Sequence, residues 1–307
     1  FYYYGVMQKV VSVMAWVMQK SMRTSGAETL SAAANVFVGQ TEAPLVIRPY
    51  INSMTTSELN AVMVGGFATM AGGVLAALAS MGFDAGHLLA ASVINAPGGL
   101  LLAKVLQPEV DTPKTLGTVR LDVKDESANV LESIANGAVG GLQLALNVGA
   151  MLIVFLALIA VLNIAIGWSG SVLGYVAEDG TRLWSLEAAL GKLFYPVAWL
   201  LGIESADRAA AAELMGLKMA TNEFVAYGRM LEWAKPDSPI QITDRSRDIL
   251  TYALCGFANF SSIGIQLGGI GGMAPERRSD LARLGLRAMI GGTLASFMTA
   301  CFAGLLL

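Results

Sequence analysis

The stretch Asn35-Val36-Phe37-Val38-Gly39-Gln40-Thr41-Glu42-Ala43-Pro44-Leu45 sets amides, a hydroxyl and a carboxylate inside a chain otherwise built for lipid. Residues 25–50 read as helix, polar break, helix, with the break at Gly39 to Pro44. Residues 206–227 read the same way, with the break at Ala220-Thr221-Asn222-Glu223-Phe224. Each is expected to form a re-entrant hairpin. Polar, irregular backbone at membrane depth survives only where protein or a water-filled cavity receives its hydrogen bonds, so both tips should line a site rather than face lipid.

The composition agrees. Of 307 residues, 55% are hydrophobic and 14% charged, and the mean hydropathy is +0.59, whereas about a quarter of a soluble domain is charged. The chain is expected to be an integral membrane protein with the lipid bilayer as its solvent. A formal net charge of -3, without any Lys/Arg-rich run, argues against nucleic acid as a partner. Cys255 and Cys301 lie in apolar stretches without metal-ligand spacing, and His87 is the lone histidine; no metal cluster or disulfide framework follows.

A spanning helix needs ~20 mainly apolar residues. Residues 63–83, 87–106, 138–168, 249–273 and 288–307 qualify. Residues 6–18 and 183–201, the latter carrying Trp184, Tyr195 and Trp199, fit either interfacial helices or core helices packed on neighbours. Residues 107–126 are rich in charge and read as a solvated connection, with a long helix expected to start over 125–129. Arg277, Arg278, Arg283 and Arg287 outnumber Glu276 and Asp280 in a short loop between spans, which places that loop in the cytoplasm.

An internal repeat points at the site. Gly66-Phe67-Ala68-Thr69 and Gly256-Phe257-Ala258-Asn259 share Gly-Phe-Ala and then a small polar residue, each in a span weakened by Gly or Ser. Each follows a hairpin whose tip carries a polar residue and then a glutamate. Paired interrupted segments in corresponding halves mark the binding site of secondary transporters.

The carboxylates most plainly set in apolar sequence are Glu42 and Glu223. An ionisable group at membrane depth costs ~3 kcal/mol on insertion scales, so it points to function; a structural capping role is the alternative. Around them stand Gln40, Thr41, Asn35, Asn222, Asn259, Ser261 and Ser262, equipment for a polar, uncharged solute. Only Lys218 and, further off, Arg48 come near, which disfavours an anionic substrate. Phe257 could stack on a flat ring. Carbonyls freed by a broken helix, with Asn35 and Thr69, would suit Na⁺.

The motifs around Gln40-Thr41-Glu42, Lys218-Met219-Ala220-Thr221-Asn222-Glu223-Phe224-Val225-Ala226-Tyr227 and Gly256-Phe257-Ala258-Asn259-Phe260-Ser261-Ser262 together resemble the concentrative nucleoside transporters. The resemblance covers essentially the whole chain, although members carry further helices before the position of Phe1. It implies an all-α integral membrane protein with an inverted repeat, a homotrimer, and an elevator mechanism driven by Na⁺ or protons. It further implies that Gln40, Thr41, Glu42 and Phe257 meet the nucleobase, and that Glu223, Asn259 and Ser262 hold the ribose. Asn35, the Val38 carbonyl, Thr69 and the Met70 carbonyl would bind Na⁺.

Residues 1–20 would then be an interfacial scaffold helix, and 21–83 the first transport repeat, with a hairpin over 21–51 and a broken helix over 62–83. Residues 84–107 would close that repeat, 108–175 hold a polar loop and a long scaffold helix, and 181–202 form a second interfacial helix. The second repeat would fill 203–307, as hairpin 204–231, broken helix 243–274 and last helix 278–307. The expected function is Na⁺-driven uptake of nucleosides of the uridine, cytidine or adenosine type across a cell inner (plasma) membrane. Proton coupling is the nearest alternative; an intramembrane nucleoside hydrolase is a rival from another class, though no HExxH or GxSxG is present.

Overall fold

The computed structural model describes residues 6–116, 129–174, 184–235 and 237–307, and among these every regular element is a helix. Helix α1 (Val6–Met22) packs along α2 (Gly26–Ala34). Ser25 opens α2 with a capping box: its hydroxyl accepts from the Glu28 N–H while Glu28 accepts from the Ser25 N–H, so two orphan donors are satisfied at once. The chain turns through Gly39–Glu42 and resumes as a 3-10 helix, Ala43–Ser53, packed against α2.

Thr55 and Glu58 form a second capping box that opens α3 (Thr56–Ala68). After a break at Thr69–Ala71 come α4 (Gly72–Ser80) and α5 (Ala85–Leu106). The next helix, α6 (Val130–Val172), has 43 residues; at 1.5 Å per residue it is roughly 64 Å long, about twice the hydrocarbon thickness. The expected helix start lies at the edge of this element: Asn129 caps it, and residues 125–128 lie outside those described.

Helix α7 (Leu186–Leu200) is pinned to α6 by Asn163, whose amide oxygen accepts from the Leu186 N–H at 2.7 Å while its nitrogen donates to Glu187 at 2.9 and 3.0 Å. It buries Phe194 and Ala198, leaves Tyr195 and Trp199 exposed, and packs against α8 (Arg208–Ala220). Asp207, just before α8, accepts from the Thr243 N–H at 3.0 Å and from its hydroxyl at 2.9 Å. Burial pushes the Asp207 carboxyl up, but the donors from Ser246 and Thr243 outweigh it and hold the group below the usual carboxylate range.

The second half repeats the order of the first. Helices α8 and α9 (Glu223–Trp233) pack on each other, α10 (Asp244–Leu254) and α11 (Phe260–Met273) are separated by a break, and α12 (Arg278–Leu306) follows. Among the described residues, three helical stretches are long and apolar enough to cross a membrane: Thr56–Ser80, Ala85–Leu106 and Pro275–Leu306. The two other expected spans fall in different settings. Residues 249–273 are divided by the break into helices of 11 and 14 residues, and residues 138–168 form part of α6.

Broken helices leave carbonyls without partners, and here the intact helices supply them. Asn95 of α5 donates to the Ala68 carbonyl at 2.8 Å and is itself oriented by the Thr299 hydroxyl of α12 at 2.5 Å. Ser296 of α12 donates to the Cys255 carbonyl at 2.6 Å. Arg277 and Arg278 do similar work at helix ends: Arg277 donates to the carbonyls of Ile51 and Met54, and Arg278 to that of Gly271.

Candidate functional site

Both breaks and both hairpin tips converge on one cavity of about 400 Å³, within the range of small-molecule sites. Gln40, Thr41, Glu42, Glu223, Phe257, Asn259 and Ser262 all line it, together with Gly39, Asn222 and Ser261. The walls add Phe224 and Val225 of the second hairpin's motif, and Ala71, Val74 and Ile265, apolar residues that no polar motif in the sequence singled out.

Local geometry explains how these side chains are aimed. Asn222 caps α9 by accepting from the Val225 N–H, and Asn259 caps α11 by accepting from the Ser262 N–H, each at 2.9 Å. Two half-helix amino termini therefore open at the cavity, and their partial positive charge favours the carboxylate of Glu223, the first residue of α9. Asn259 also donates to Glu223 at 3.3 Å, and the Ser261 hydroxyl donates to Asn259 at 2.7 Å. The result is a carboxylate held from one side by an amide, with acceptor capacity left for the hydroxyls of a solute.

The first hairpin tip reaches the second half directly. The Gln40 amide donates to the Ser262 hydroxyl at 3.2 Å, and Gln266 donates to the Gln40 oxygen at 3.1 Å. Lys218 is buried and spends its ammonium on the Ala253 carbonyl at 3.2 Å, and Tyr227 donates to the Thr251 carbonyl at 2.6 Å. Lys218 thus braces the second break from within.

Asn35, Val38, Thr69 and Met70 do not line the cavity. The segment carrying Val38 is docked on the first break, because the Gly72 N–H donates to the Phe37 carbonyl at 3.1 Å and Ser92 donates to the Val36 carbonyl at 3.4 Å. Asn35 is fully buried, yet neither its amide oxygen nor its nitrogen has a hydrogen-bond partner among the described residues, and the neighbouring Ser31 hydroxyl has none either. Most buried polar groups are paired, so this cluster suits a ligand of its own.

One expectation is corrected. Glu42 is only partly buried, at the cavity wall, whereas Glu28 and Glu58 are each 1% exposed. The reason is positional: Glu28 and Glu58 are the third residues of capped helices, and the Ser25 hydroxyl, donating to Glu58 at 2.6 Å, ties both helix starts together. The signal was present as Ser25…Glu28 and Thr55…Glu58, each a capping box in sequence.

The chain matches known proteins along its whole length. Residues 87–304 match the family described as Na⁺ dependent nucleoside transporter C-terminus, and residues 1–83 match one described as nucleoside recognition. It is 50% identical to an uncharacterized transporter of Haemophilus influenzae and 43% identical to the nucleoside permease NupC of Helicobacter pylori, covering 99% of this chain and 72% and 71% of those proteins. It is 44% identical to sodium/nucleoside cotransporter 1 of Mus musculus, again over 99% of this chain but 48% of that protein.

Among solved structures, CNTnw in an inward-facing substrate-bound state superposes with a TM-score of 0.84 at 47% identity, over 99% of this chain and 70% of that one. A CNTnw variant in an intermediate state gives 0.89 at 46% identity, over 99% and 72%. These relatives are membrane transporters, not enzymes, which removes the hydrolase rival. The chain belongs to the concentrative nucleoside transporter family.

Proposed function

We propose that this chain is the transport core of a Na⁺-driven nucleoside symporter of the cell inner membrane. The observation that carries the reading is the buried Asn35 amide without partners, beside a hairpin whose next residues, Gln40 to Glu42, line the cavity. Na⁺ enters as cargo: Asn35, the Val38 carbonyl, Thr69 and the Met70 carbonyl would hold it, and doing so would fix the hairpin tip. Ion binding then preorganises the solute site, and the coupling is reciprocal.

In the cavity, Gln40, Thr41, Glu42 and Phe257 would meet the nucleobase, while Glu223, Asn259 and Ser262 would hold the ribose. A carboxylate in a dry site accepts well from vicinal hydroxyls. The segments α2 to Ser53 and α8 to α9 would be re-entrant hairpins, and the two repeats would slide as a body against α6 in an elevator movement. Exposed Leu142, Leu146 and Ile153 on α6 suit the apolar contact of a homotrimer.

Uptake of radiolabelled uridine into proteoliposomes, with and without an inward Na⁺ gradient, tests the reading. Accumulation that needs Na⁺ is the expected result. Uptake driven by a proton gradient alone would move coupling to a carboxylate, and no uptake of any nucleoside would sink the proposal.

A further inference from the structure

Gln266 lies in α11, one layer behind the cavity wall, and is fully buried. Its amide nitrogen makes two hydrogen bonds, to the Met63 carbonyl and to the Gln40 side-chain oxygen, each at 3.1 Å. The Met63 carbonyl can only accept, so it fixes which end of the Gln266 amide faces it. With the amide reversed, two oxygens would meet and the nitrogen would lose both partners. Gln266 in turn fixes Gln40: the Gln40 oxygen is turned inward to Gln266, and its nitrogen is turned to Ser262 at 3.2 Å.

An amide nitrogen carries two N–H groups and Ser262 takes one, so what Gln40 can offer a ligand is a donor. The pairing is also fitted to the backbone behind it. A Cβ at Gly66 would lie 2.8 Å from the Gln266 nitrogen and 3.0 Å from Gln40 Cβ, so the glycine of the first repeat makes room for this pair.

We propose that Gln266 is a positioning residue that sets base specificity, by holding the Gln40 amide so that the edge of the nucleobase meeting it must carry an acceptor, a ring carbonyl rather than an amino group. The inference rests on the nucleoside reading of the cavity given above. Uridine and cytidine probe it directly, being of the same size and ribose but exchanging a carbonyl for an amino group on one edge.

Gln266→Glu reverses the relay. If the new carboxyl is protonated it donates to the Met63 carbonyl and meets Gln40 with an oxygen; if ionised, it meets Gln40 with an oxygen again. In both cases Gln40 turns its nitrogen inward and its oxygen toward Ser262 and the cavity. Gln266→Met keeps the length but removes the relay, so Gln40 is free to present either end.

The experiment is Na⁺-dependent uptake of uridine and cytidine into proteoliposomes, reported as the ratio of their kcat/KM values for the wild type and both variants, with the Na⁺ half-saturation as control. The wild type should favour uridine. Gln266→Glu should move the ratio toward cytidine by about tenfold, the discrimination that one mismatched buried hydrogen bond gives, and Gln266→Met should bring the two substrates toward equality, with the Na⁺ half-saturation at saturating nucleoside unchanged. A merely structural glutamine would alter both substrates alike. A wild type that favours cytidine or treats the two alike, or variants that keep the wild-type ratio, would overturn the proposal while leaving nucleoside transport standing; absence of Na⁺-dependent uptake of either nucleoside by the wild type would instead remove the reading on which it rests.

Discussion

A Cβ placed on Gly256 would lie 2.6 Å from the Ala68 carbonyl oxygen and 2.8 Å from that of Phe67, so the two broken helices touch at a point only a glycine can occupy. Gly256 also has φ +117°, in the region that side chains rarely adopt. Both Gly-Phe-Ala copies therefore meet directly, the glycine of one lying against the carbonyls of the other. Gly256→Ala should cost at least ~1–3 kcal/mol from backbone strain alone. The fully buried Cys255 next door gives the readout, since a thiol-reactive dye should label it at a lower temperature in the variant. An unchanged melting curve would show that the break relaxes without cost.

Glu223 is 6% exposed and receives the Asn259 amide at 3.3 Å, leaving acceptor capacity at the cavity. Glu223→Gln keeps the shape and removes the charge. Uridine kcat/KM should fall by about 10- to 100-fold, the range for hydrogen bonds to a charged group. Uptake of a 2′,3′-dideoxy analogue, which lacks those hydroxyls, should fall much less. Equal losses for both would move Glu223 away from the sugar hydroxyls.

The polar lining of the cavity could be read from the chain because those residues interrupt apolar sequence: Gln40-Thr41-Glu42, Asn222-Glu223 and Asn259 stand out against their flanks. The parts that were not legible act at a distance. Asn95 and Ser296 sit within intact helices and look like isolated polar substitutions, yet each satisfies a carbonyl on a different, broken helix. Gln266, seven residues beyond Asn259, lies among glycines and isoleucines and has meaning only once Met63 and Gln40 are beside it. Ala71, Val74 and Ile265 became visible as walls only after the two repeats were packed, because apolar lining carries no signature in an apolar chain.

Asn35 can be tested apart from transport. Its amide has no partner among the described residues, so Asn35→Ala removes an unpaired polar group and breaks no hydrogen bond made by that side chain. Without Na⁺ the variant should melt at or above the wild-type temperature, since an orphaned buried amide is a liability to the fold. Adding Na⁺ should raise the melting temperature of the wild type, because an ion bound only by the folded state stabilises it by mass action. In Asn35→Ala that increment should vanish and the Na⁺ half-saturation of uptake should rise by about tenfold or more, as expected when one charge–dipole ligand is lost. A full Na⁺ increment in the variant would exclude Asn35 as an ion ligand.

Lys104 holds the base of the first repeat. Its ammonium lies 2.7 Å from Glu28, 3.3 Å from Glu109 and 3.0 Å from the Ser57 hydroxyl, so one cation meets two carboxylates. Lys104→Met fills much of the same space but leaves Glu28, 1% exposed, as a buried charge without its cation. Removing one partner of a buried pair costs ~3–5 kcal/mol, and the lower end applies here because Lys104 keeps 23% of its side chain exposed. Thermal unfolding in detergent should show a clear loss for Lys104→Met, and a double variant that adds Glu28→Gln should recover most of it, since a neutral amide no longer needs the ammonium. If the single and double variants melt alike, the loss comes from packing around Lys104 and not from the stranded charge; if neither melts below the wild type, the cluster does not clamp the hairpin to α3 and α5.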